Sequence, residues 1–420
     1  MYYETSPLIE ICKQKKLDLT KIYQLSTAFE IAKKISFQQQ KGDTQFIVKL
    51  SIAATAISVA AIILTLSIVN GFQEKIAEKV YSFWGHINIS TVNGSPLLID
   101  PATTKGIQQL PNVKWVSPYL TQSTVLSYGQ EIEGVVAKGI PNNTTVPFHV
   151  KGKNLLHETG SKDNNTLVIS DKLASKLNIP LYSFVRLYFI NKGNVQQRKL
   201  KVVGFYHSGM EDYDKQFVLI DLANLQQINK SPGQIEGYTV TLKNSSMMDE
   251  TNEQIQKILP NNLVATTIRN YYPQIFDWIG VQTINRNVTI TILLVIAIVN
   301  LLTCLFILML ERVPLIGTLT ALGATQKLIR QIFLYQASFI CWIGIGIGTF
   351  IGLGLSLIQK QFGVIQLNEE AYFISTLPIK INPIQIALVI IGTALISYLS
   401  FLIPTLWIKK ISPAKAVQFN

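Results

Sequence analysis

The chain has 420 residues, of which 48% are hydrophobic and 15% are charged. Soluble proteins carry about 25% charged residues, so the composition indicates a membrane protein with a sizeable extramembrane part. The formal net charge of +12 does not indicate a nucleic-acid partner, because no basic cluster is interleaved with aromatic residues.

Residues 1–46 form a polar, lysine-rich leader. Apolar residues recur at roughly helical spacing beside lysines from Phe29 to Ile35, which favours an amphipathic helix on the membrane surface; a solvated helix would show the same pattern. The next segment is apolar: residues 50–73 carry no charge, and about 20 such residues cross a bilayer. We therefore expect a first transmembrane helix over residues 47–72 that continues beyond the membrane as a stalk.

Residues 73–286 are expected to form this stalk and a folded aqueous domain. Short β-branched and aromatic runs recur there between turn residues, which predicts strands. The predicted strands are residues 86–90, 97–99, 113–119, 133–140, 184–190, 199–205, 216–220 and 236–242. Two helices are predicted at residues 170–177 and 222–229, with N-caps at Ser170 or Asp171 and at Asp221. This mixture predicts the α+β class with a mostly antiparallel or mixed sheet.

Three further apolar runs are each long enough to cross a membrane. The expected organisation is a second span at 287–310, a polar segment at 311–327, a third span at 328–359, a loop at 360–382, a fourth span at 383–408 and a tail at 409–420. Four spans place both termini on one side, where the basic residues of the leader, the polar segment and the tail also fall. By the positive-inside rule this side is the cytoplasm, so the large domain lies outside.

The segment between the second and third spans predicts a short surface helix over residues 314–322. Pro314 suits the first turn of a helix, where its missing N–H would be unpaired in any case. Gly323 suits the end of the helix, because a residue without Cβ readily adopts a left-handed conformation. A helix pinned between two membrane helices can pass a push from a partner into the membrane.

Two features predict contacts between the spans. Gly344, Gly348 and Gly352 recur every four residues, and small residues at that spacing let helices approach closely; packing within one protomer is favoured over a dimer seam. Asn300 is a lone amide within the second span. Because an amide needs a polar partner in hydrocarbon, we place it on a helix–helix face.

The sequence contains no recognisable catalytic or metal-binding motif. It has no phosphate-binding G-x-x-x-x-G-K-[ST] loop, no H-E-x-x-H and no G-x-S-x-G, and its four histidines are dispersed along the chain. We therefore expect no catalytic residues, no bound metal and no cofactor in this chain, which is not itself expected to be an enzyme.

The order of one span, a large exterior domain and three further spans resembles the MacB/FtsX-type permeases of ABC transporters. Four segments resemble in particular the lipoprotein-releasing permeases of the LolC/LolE type. They are Ser67-Ile68-Val69-Asn70-Gly71-Phe72, the stretch from Gly204 to Asp214 with Ser208, Gly209, Met210, Tyr213 and Asp214, Leu377-Pro378-Ile379-Lys380-Ile381, and Pro413-Ala414-Lys415-Ala416-Val417.

The resemblance implies an α-helical membrane protein with four transmembrane helices and a large α+β periplasmic domain of the MacB type, inserted between helices 1 and 2. It implies a permease subunit in the bacterial inner membrane with both termini cytoplasmic. The implied partners are a cytoplasmic ABC ATPase dimer that binds ATP and Mg²⁺, a second permease protomer (a copy or a sister chain), membrane lipid and a periplasmic lipoprotein carrier. Lipoprotein release is the first hypothesis. The alternatives are efflux of peptides, antibiotics or amphiphiles, and FtsX-like signalling to cell-wall hydrolases.

The resemblance further implies that the short helix after the second span is the ATPase-coupling helix. The implied coupling residues are Glu311, Arg312, Pro314, Leu315, Ile316, Gly317, Leu319, Thr320, Leu322 and Gly323. Leu315 and Thr320 depart from the family pattern, which has an acidic and a basic residue at those positions. The polar anchoring to the ATPase must therefore differ in this chain.

A lipid-modified substrate is expected to sit between the exterior ends of the first two spans. The residues that would offer apolar surface there are Ile62, Leu66, Val69 and Phe72 in the first span and Val288, Ile292 and Val295 in the second. Acyl chains suit such a cleft, because each buried CH₂ contributes about 0.8 kcal/mol. Each of these residues could equally face bulk lipid.

Overall fold

The structure is a computed structural model that describes residues 29–30, 32, 43–141, 149–152, 165–191, 194–368, 372 and 374–407. Most of the predicted leader and the predicted tail, including the segment Pro413 to Val417, lie outside the described residues. The chain divides into two compact units. The described parts of Met1–Gly71, Gln282–Val364 and Pro378–Asn420 form the helical unit, and those of Phe72–Val281 and Ile365–Leu377 form the sheet unit.

Helices and strands alternate in the first two thirds of the described chain, and helices follow. In chain order they are α1 (Asp43–Trp84), β1 (Ile87–Thr91), β2 (Leu97–Leu98), α2 (Pro101–Gln108), β3 (Val113–Tyr128), β4 (Glu131–Ile140), β5 (His149–Gly152), β6 (Thr166–Ser170), α3 (Asp171–Lys176), β7 (Phe184–Asn191), β8 (Asn194–His207), α4 (Glu211–Gln216), β9 (Phe217–Asp221), α5 (Leu222–Ile228), β10 (Gln234–Ile235), β11 (Gly237–Leu242), α6 (Met248–Ile258), β12 (Leu263–Thr267), α7 (Ile268–Tyr271), α8 (Pro273–Glu311), α9 (Val313–Ala321), α10 (Gln326–Phe362) and α11 (Pro383–Trp407).

Four helices among the described residues, α1, α8, α10 and α11, are long and apolar enough to cross a membrane. Two of them exceed the predicted spans. α1 continues to Trp84, which confirms that the first helix extends past its apolar run. α8 begins at Pro273 rather than near residue 287. The predicted span began near residue 287 because residues 273–286 include polar side chains. The helix continues through them, since it contains no internal proline, and Pro273 is favoured at a helix start.

The glycine repeat of α10 packs against α1. A Cβ added to Gly348 would lie 2.5 Å from the carbonyl oxygen of Ala56, and one added to Gly344 would lie 2.8 Å from Cβ of Thr55. At Gly352 the nearest atoms, in Ala60 and Ile63, are 3.1 Å away. The prediction that these glycines pack helices within one protomer is confirmed.

The amide in the second span also has a partner inside the protomer. Asn300 Nδ2 donates to the backbone oxygen of Ser51 at 3.2 Å, which joins α8 to α1. The predicted helix–helix position of Asn300 is confirmed. This contact gives an otherwise unpaired amide an acceptor in an apolar region.

The sheet unit contains a mixed sheet that, within the described residues, has ten strands in the order β12-β1-β11-β3-β4-β9-β6-β8-β5, with β7 paired to β3 and β8. The pairs β4–β9 and β6–β8 are parallel and the others are antiparallel. The predicted α+β class and mixed sheet are confirmed. So are the predicted N-caps: the Ser170 side chain accepts from Leu173 N–H and that of Asp221 accepts from Ala223 N–H.

All eight predicted strands are present, but four strands escaped prediction: β5, β6, β10 and β12. β6 shows why. All five of its residues are buried, because its side chains enter two different cores: Val168 belongs to one hydrophobic cluster and Leu167 and Ile169 to another. A strand covered on both faces lacks the apolar–polar alternation that identifies a half-buried strand.

We predict that replacing Gly348 by valine loosens the contact between α10 and α1. The new side chain would overlap the Ala56 carbonyl and the Val59 side chain, and overpacking of this kind typically costs about 1–3 kcal/mol. The matched control is Gly346→Val, since nothing lies within 4 Å of a Cβ at that position. Thermal unfolding of the purified chain in detergent should show a lower midpoint for Gly348→Val than for Gly346→Val. Equal midpoints would contradict the packing described here.

Candidate functional site

The short helix α9 is fixed at both ends by local chemistry. Pro314 occupies its first turn. Gly323 follows its end with a φ of 87°, and the next residue, Ala324, donates its N–H to the Leu319 carbonyl at 2.9 Å. Thr325 then caps α10 by accepting from Leu328 N–H. The helix predicted for residues 314–322 is confirmed, together with the roles of Pro314 and Gly323.

The inner face of α9 is buried in the helical unit. Ile316 is 4% exposed and packs with Met309, Ile329 and Phe333. The adjacent Gly317 is also buried. The resemblance implied both residues as members of the ATPase-coupling helix, and that role stays a prediction. In this structure Ile316 holds α9 against α8 and α10 through these contacts.

The outer face of α9 differs from the set of coupling residues that the sequence implied. Leu322 is 80% exposed, and Thr318 and Ala321 are exposed beside it. The set of implied coupling residues did not include Thr318 or Ala321. Helical spacing from the buried Ile316 would have placed them on the opposite face. Among the other predicted coupling residues, Glu311 and Gly323 are exposed, and Arg312, Leu315, Leu319 and Thr320 are half-buried.

Two of the motifs that carried the family resemblance meet in the helical unit. A Cβ on Gly71 would lie 2.5 Å from the Pro378 carbonyl oxygen, and Lys380 donates its N–H to the Ser67 carbonyl at 2.9 Å. Asn70 also accepts from Arg286 at 2.9 Å. The small Gly71 is therefore required by a close backbone approach. The sequence contained both motifs without indicating that they touch.

The residues proposed to line a lipid cleft do not share one exposed surface. Ile62 is 1% and Leu66 is 8% exposed, because the rest of the chain encloses their side chains. The prediction that they offer apolar surface is wrong. Val69 and Phe72 are half-buried. The α8 residues differ: Val288, Ile292 and Val295 are 52%, 54% and 52% exposed.

In the sheet unit, the motif around Ser208 folds into a tight loop between β8 and α4. Gly209 has a φ of 70°, which a residue without Cβ adopts at no steric cost. The Asp214 carboxylate, 1% exposed, accepts the backbone N–H groups of Ser208 at 3.0 Å and Gly209 at 3.2 Å. Ser208 Oγ accepts from Met210 N–H at 3.1 Å. Burial raises the pKa of Asp214, and the hydrogen bonds from Ser208 oppose that shift.

The same loop is attached to the end of α1. Lys79 Nζ donates to the Gly209 carbonyl at 3.1 Å. The Tyr213 ring packs on Phe83 and Trp84, with centroids 4.7 and 6.3 Å apart. Met210 and Tyr213 belong to the same hydrophobic cluster as these two α1 residues. The family motif therefore holds the end of α1 through Gly209, Met210 and Tyr213. We call the surface around this helix end the socket.

A buried cation completes this socket. Lys138 on β4 is 4% exposed, and its Nζ lies 4.2 Å from the ring centroid of Phe83 and 4.0 Å from that of Trp84. It also donates to the Phe83 carbonyl, which stabilises the negative end of the α1 dipole. Burial lowers the pKa of Lys138 to about 7. Nothing in the sequence marked this lysine, because the helix end and β4 meet only in the folded chain.

His207 joins two carboxylates that are distant in sequence from each other. Its Nδ1 lies 2.9 Å from Asp171 and 3.8 Å from Asp214, and the ligand atoms of the three residues lie within 4.8 Å of one another. The dispersed histidines of the sequence gave no sign of this group. Within this group His207 pairs with Asp171, and the Asp214 carboxylate accepts backbone N–H groups.

Comparison with known proteins decides the family. A MacB-like periplasmic core domain matches residues 50–258 and an FtsX-like permease C-terminal domain matches residues 287–413. The chain belongs to the MacB/FtsX-type permeases of ABC transporters. The family resemblance of the sequence is thereby confirmed. The MacB-like match runs from α1 to the end of α6, and the FtsX-like match runs from the middle of α8 through α11.

Curated relatives place the chain close to the LolC/LolE type. "Lipoprotein-releasing system transmembrane protein LolE" of Haemophilus influenzae is 24% identical in an alignment that covers 91% of this chain and 98% of that protein. LolC of the same organism is 23% identical, over 90% of this chain and 94% of that protein. LolC of Buchnera aphidicola subsp. Schizaphis graminum is 25% identical, over 89% and 94%.

Solved structures resemble part of the chain more distantly. The periplasmic region of MacB from Actinobacillus actinomycetemcomitans is 15% identical with a TM-score of 0.34, covering 45% of this chain and 91% of that one. The extracellular domain of the transporter YknZ from Gram-positive bacteria is 14% identical with a TM-score of 0.31, covering 43% and 98%.

We predict that Asp214→Asn weakens the loop around Gly209. An amide retains one acceptor but presents N–H groups to a backbone donor, so one buried N–H loses its partner at a cost of about 1–3 kcal/mol. The matched control is Asp212→Asn, which makes the same change two residues away at an exposed position of α4. Thermal unfolding should show a lower midpoint for Asp214→Asn alone. An equal effect of both substitutions would contradict the role assigned to the buried carboxylate.

Proposed function

We propose that this chain is the permease subunit of an ABC transporter that extracts lipoproteins from the outer leaflet of the bacterial inner membrane and releases them toward the outer membrane. The observation that carries the proposal is similarity along about nine tenths of the chain to proteins named for lipoprotein release. The chain itself has no catalytic role in this scheme. ATP and Mg²⁺ are bound by a separate cytoplasmic ATPase dimer, and the chain needs no cofactor.

The proposed input is α9. Its buried Ile316 fastens it to α8 and α10, so a force on the exposed Leu322 moves the membrane helices rather than bending a loop. The proposed output is the socket around the end of α1. Because α1 is one continuous helix from Asp43 to Trp84, a tilt of its membrane segment is carried to the residues held by Lys79 and Lys138.

The proposed surface for the acyl chains contains fewer residues than the sequence predicted. The exposed side chains Val288, Ile292 and Val295 of α8 offer apolar surface, whereas the buried Ile62 and Leu66 of α1 do not. In this proposal both termini are cytoplasmic, the sheet unit is periplasmic, and a second protomer, either a copy or a sister permease, completes the transporter. A periplasmic lipoprotein carrier receives the product.

The direct test is depletion of the chain in its own organism. We predict that lipoproteins normally sorted to the outer membrane then accumulate in the inner membrane, measured by membrane fractionation and immunoblotting. Expression of the wild-type chain from a plasmid should restore sorting. Normal sorting in fully depleted cells would overturn lipoprotein release and favour efflux as the function of the same architecture.

A second test concerns the docking of the partner ATPase on α9. We predict that Leu322→Glu weakens binding of the partner ATPase about tenfold, because it places a charge on the exposed apolar surface of α9; a tenfold change corresponds to about 1.4 kcal/mol. Permease-stimulated ATP hydrolysis, measured against ATPase concentration with the reconstituted complex, reports this change. The control is Leu98→Glu, an identical substitution at a leucine that is 66% exposed in the sheet unit. If Leu322→Glu leaves the concentration dependence unchanged, α9 does not dock the ATPase through this face.

A further inference from the structure

The sheet unit contains a cavity beside the end of α1. Its volume is about 330 Å³, and its walls are the last turns of α1, the turn at Gly85 and His86, and strands β3, β4, β9 and β11. Cavities that bind small molecules begin at about 300 Å³. At ~30 Å³ for a water-sized group, this one has room for roughly ten non-hydrogen atoms.

The lining combines aromatic surface with one buried positive charge. Tyr81, Trp115 and Tyr119 line the cavity together with Lys138. Lys138, which also contacts the end of α1, lines the cavity although it is only 4% exposed. Aromatic rings suit the apolar body of a ligand, and a buried ammonium suits an anionic end.

Among the described residues, Lys138 has no paired counter-charge. Within the described part of the chain, no carboxylate forms a salt bridge with it, and its hydrogen bond goes to the neutral Phe83 carbonyl. The charge of Glu236 raises the pKa of Lys138, but its carboxylate forms no salt bridge with the ammonium. It accepts the N–H of Thr121 at 3.0 Å instead. A buried charge without a partner is costly, so an anion in the cavity would supply a missing interaction.

The other charged or titratable groups of the lining leave room for a negative ligand. Burial lowers the pKa of His86 to about 4, so this ring is neutral, and its Nδ1 accepts from Leu242 N–H at 3.3 Å. Lys114 adds a second positive charge, with its Nζ 4.8 Å from the Trp115 ring centroid. Glu78 is the acidic residue of the lining, and it forms an exposed ion pair with Lys75 at 2.7 Å.

We propose that this cavity is a binding site for a small organic carboxylate with an apolar, ring-sized body, whose carboxylate pairs with the Lys138 ammonium while its body lies against Tyr81, Trp115 and Tyr119. Such a ligand would touch both the end of α1 and the strands that hold it. Its occupancy would strengthen the attachment of α1 to the sheet. The site is independent of the substrate and of the partners of the proposed transporter.

The test uses three soluble probes of nearly equal shape: benzoate, benzamide and benzylamine. Binding to the full-length chain in lipid nanodiscs is measured by saturation-transfer NMR, with empty nanodiscs as the background. Benzoate is expected to bind at least tenfold more tightly than benzamide, and protonated benzylamine is expected not to bind, because only the carboxylate complements Lys138. Benzoate binding no tighter than that of benzamide overturns the proposal.

Three variants locate the site. Lys138→Met keeps the length of the side chain and removes its charge, so it should abolish the preference for benzoate. Thr241→Phe fills the cavity from its wall while leaving Lys138 in place, so it should abolish binding of both benzoate and benzamide. Lys105→Met removes an exposed lysine of α2 outside the cavity and should change nothing. If Lys138→Met does not fold, Thr241→Phe decides, and benzoate affinity that survives the filled cavity overturns the proposal.

Discussion

The sheet unit depends on how it closes the carboxyl end of α1. A helix terminus leaves its last carbonyl groups without partners, and here that terminus lies in a hydrophobic cluster with Phe83 and Trp84, each 5% exposed. Lys138 supplies a donor to the Phe83 carbonyl, and Gly85 N–H closes on the Tyr81 carbonyl at 2.8 Å. Without these donors, the Phe83 and Tyr81 carbonyl groups would lose these hydrogen bonds in a buried environment, which costs free energy.

The socket around that terminus explains why distant pieces of sequence belong together. The loop at Gly209 is shaped by a carboxylate from the following helix, and its carbonyl receives Lys79 from α1. The Tyr213 ring then packs at an angle against the rings of Phe83 and Trp84 in α1. The proposed function carries motion along α1, and a helix end tied by charge-assisted hydrogen bonds and ring packing moves with its surroundings.

At the other end of the proposed path, α9 shows the same division between holding and contacting. Ile316 anchors the helix inward, and Leu322 is left outward. The departures from the family pattern, Leu315 and Thr320, are half-buried, and Thr320 donates its hydroxyl to the Ile316 carbonyl at 2.7 Å within the same helix. These two side chains are therefore partly enclosed by the helical unit and only partly available to a docking surface.

The motifs of the sequence indicated the family. The sequence by itself also determined the four apolar helices, the short helix with its proline start and glycine end, and the class of the sheet unit, because these features follow from local composition and periodicity. Tertiary structure alone decided which α9 residues face outward, that Ile62 and Leu66 are enclosed, that β6 is a strand, and that Lys138 meets the end of α1. Each of these depends on contacts between residues far apart in sequence: a single chain pattern records how apolar a residue is, but not which neighbour covers it.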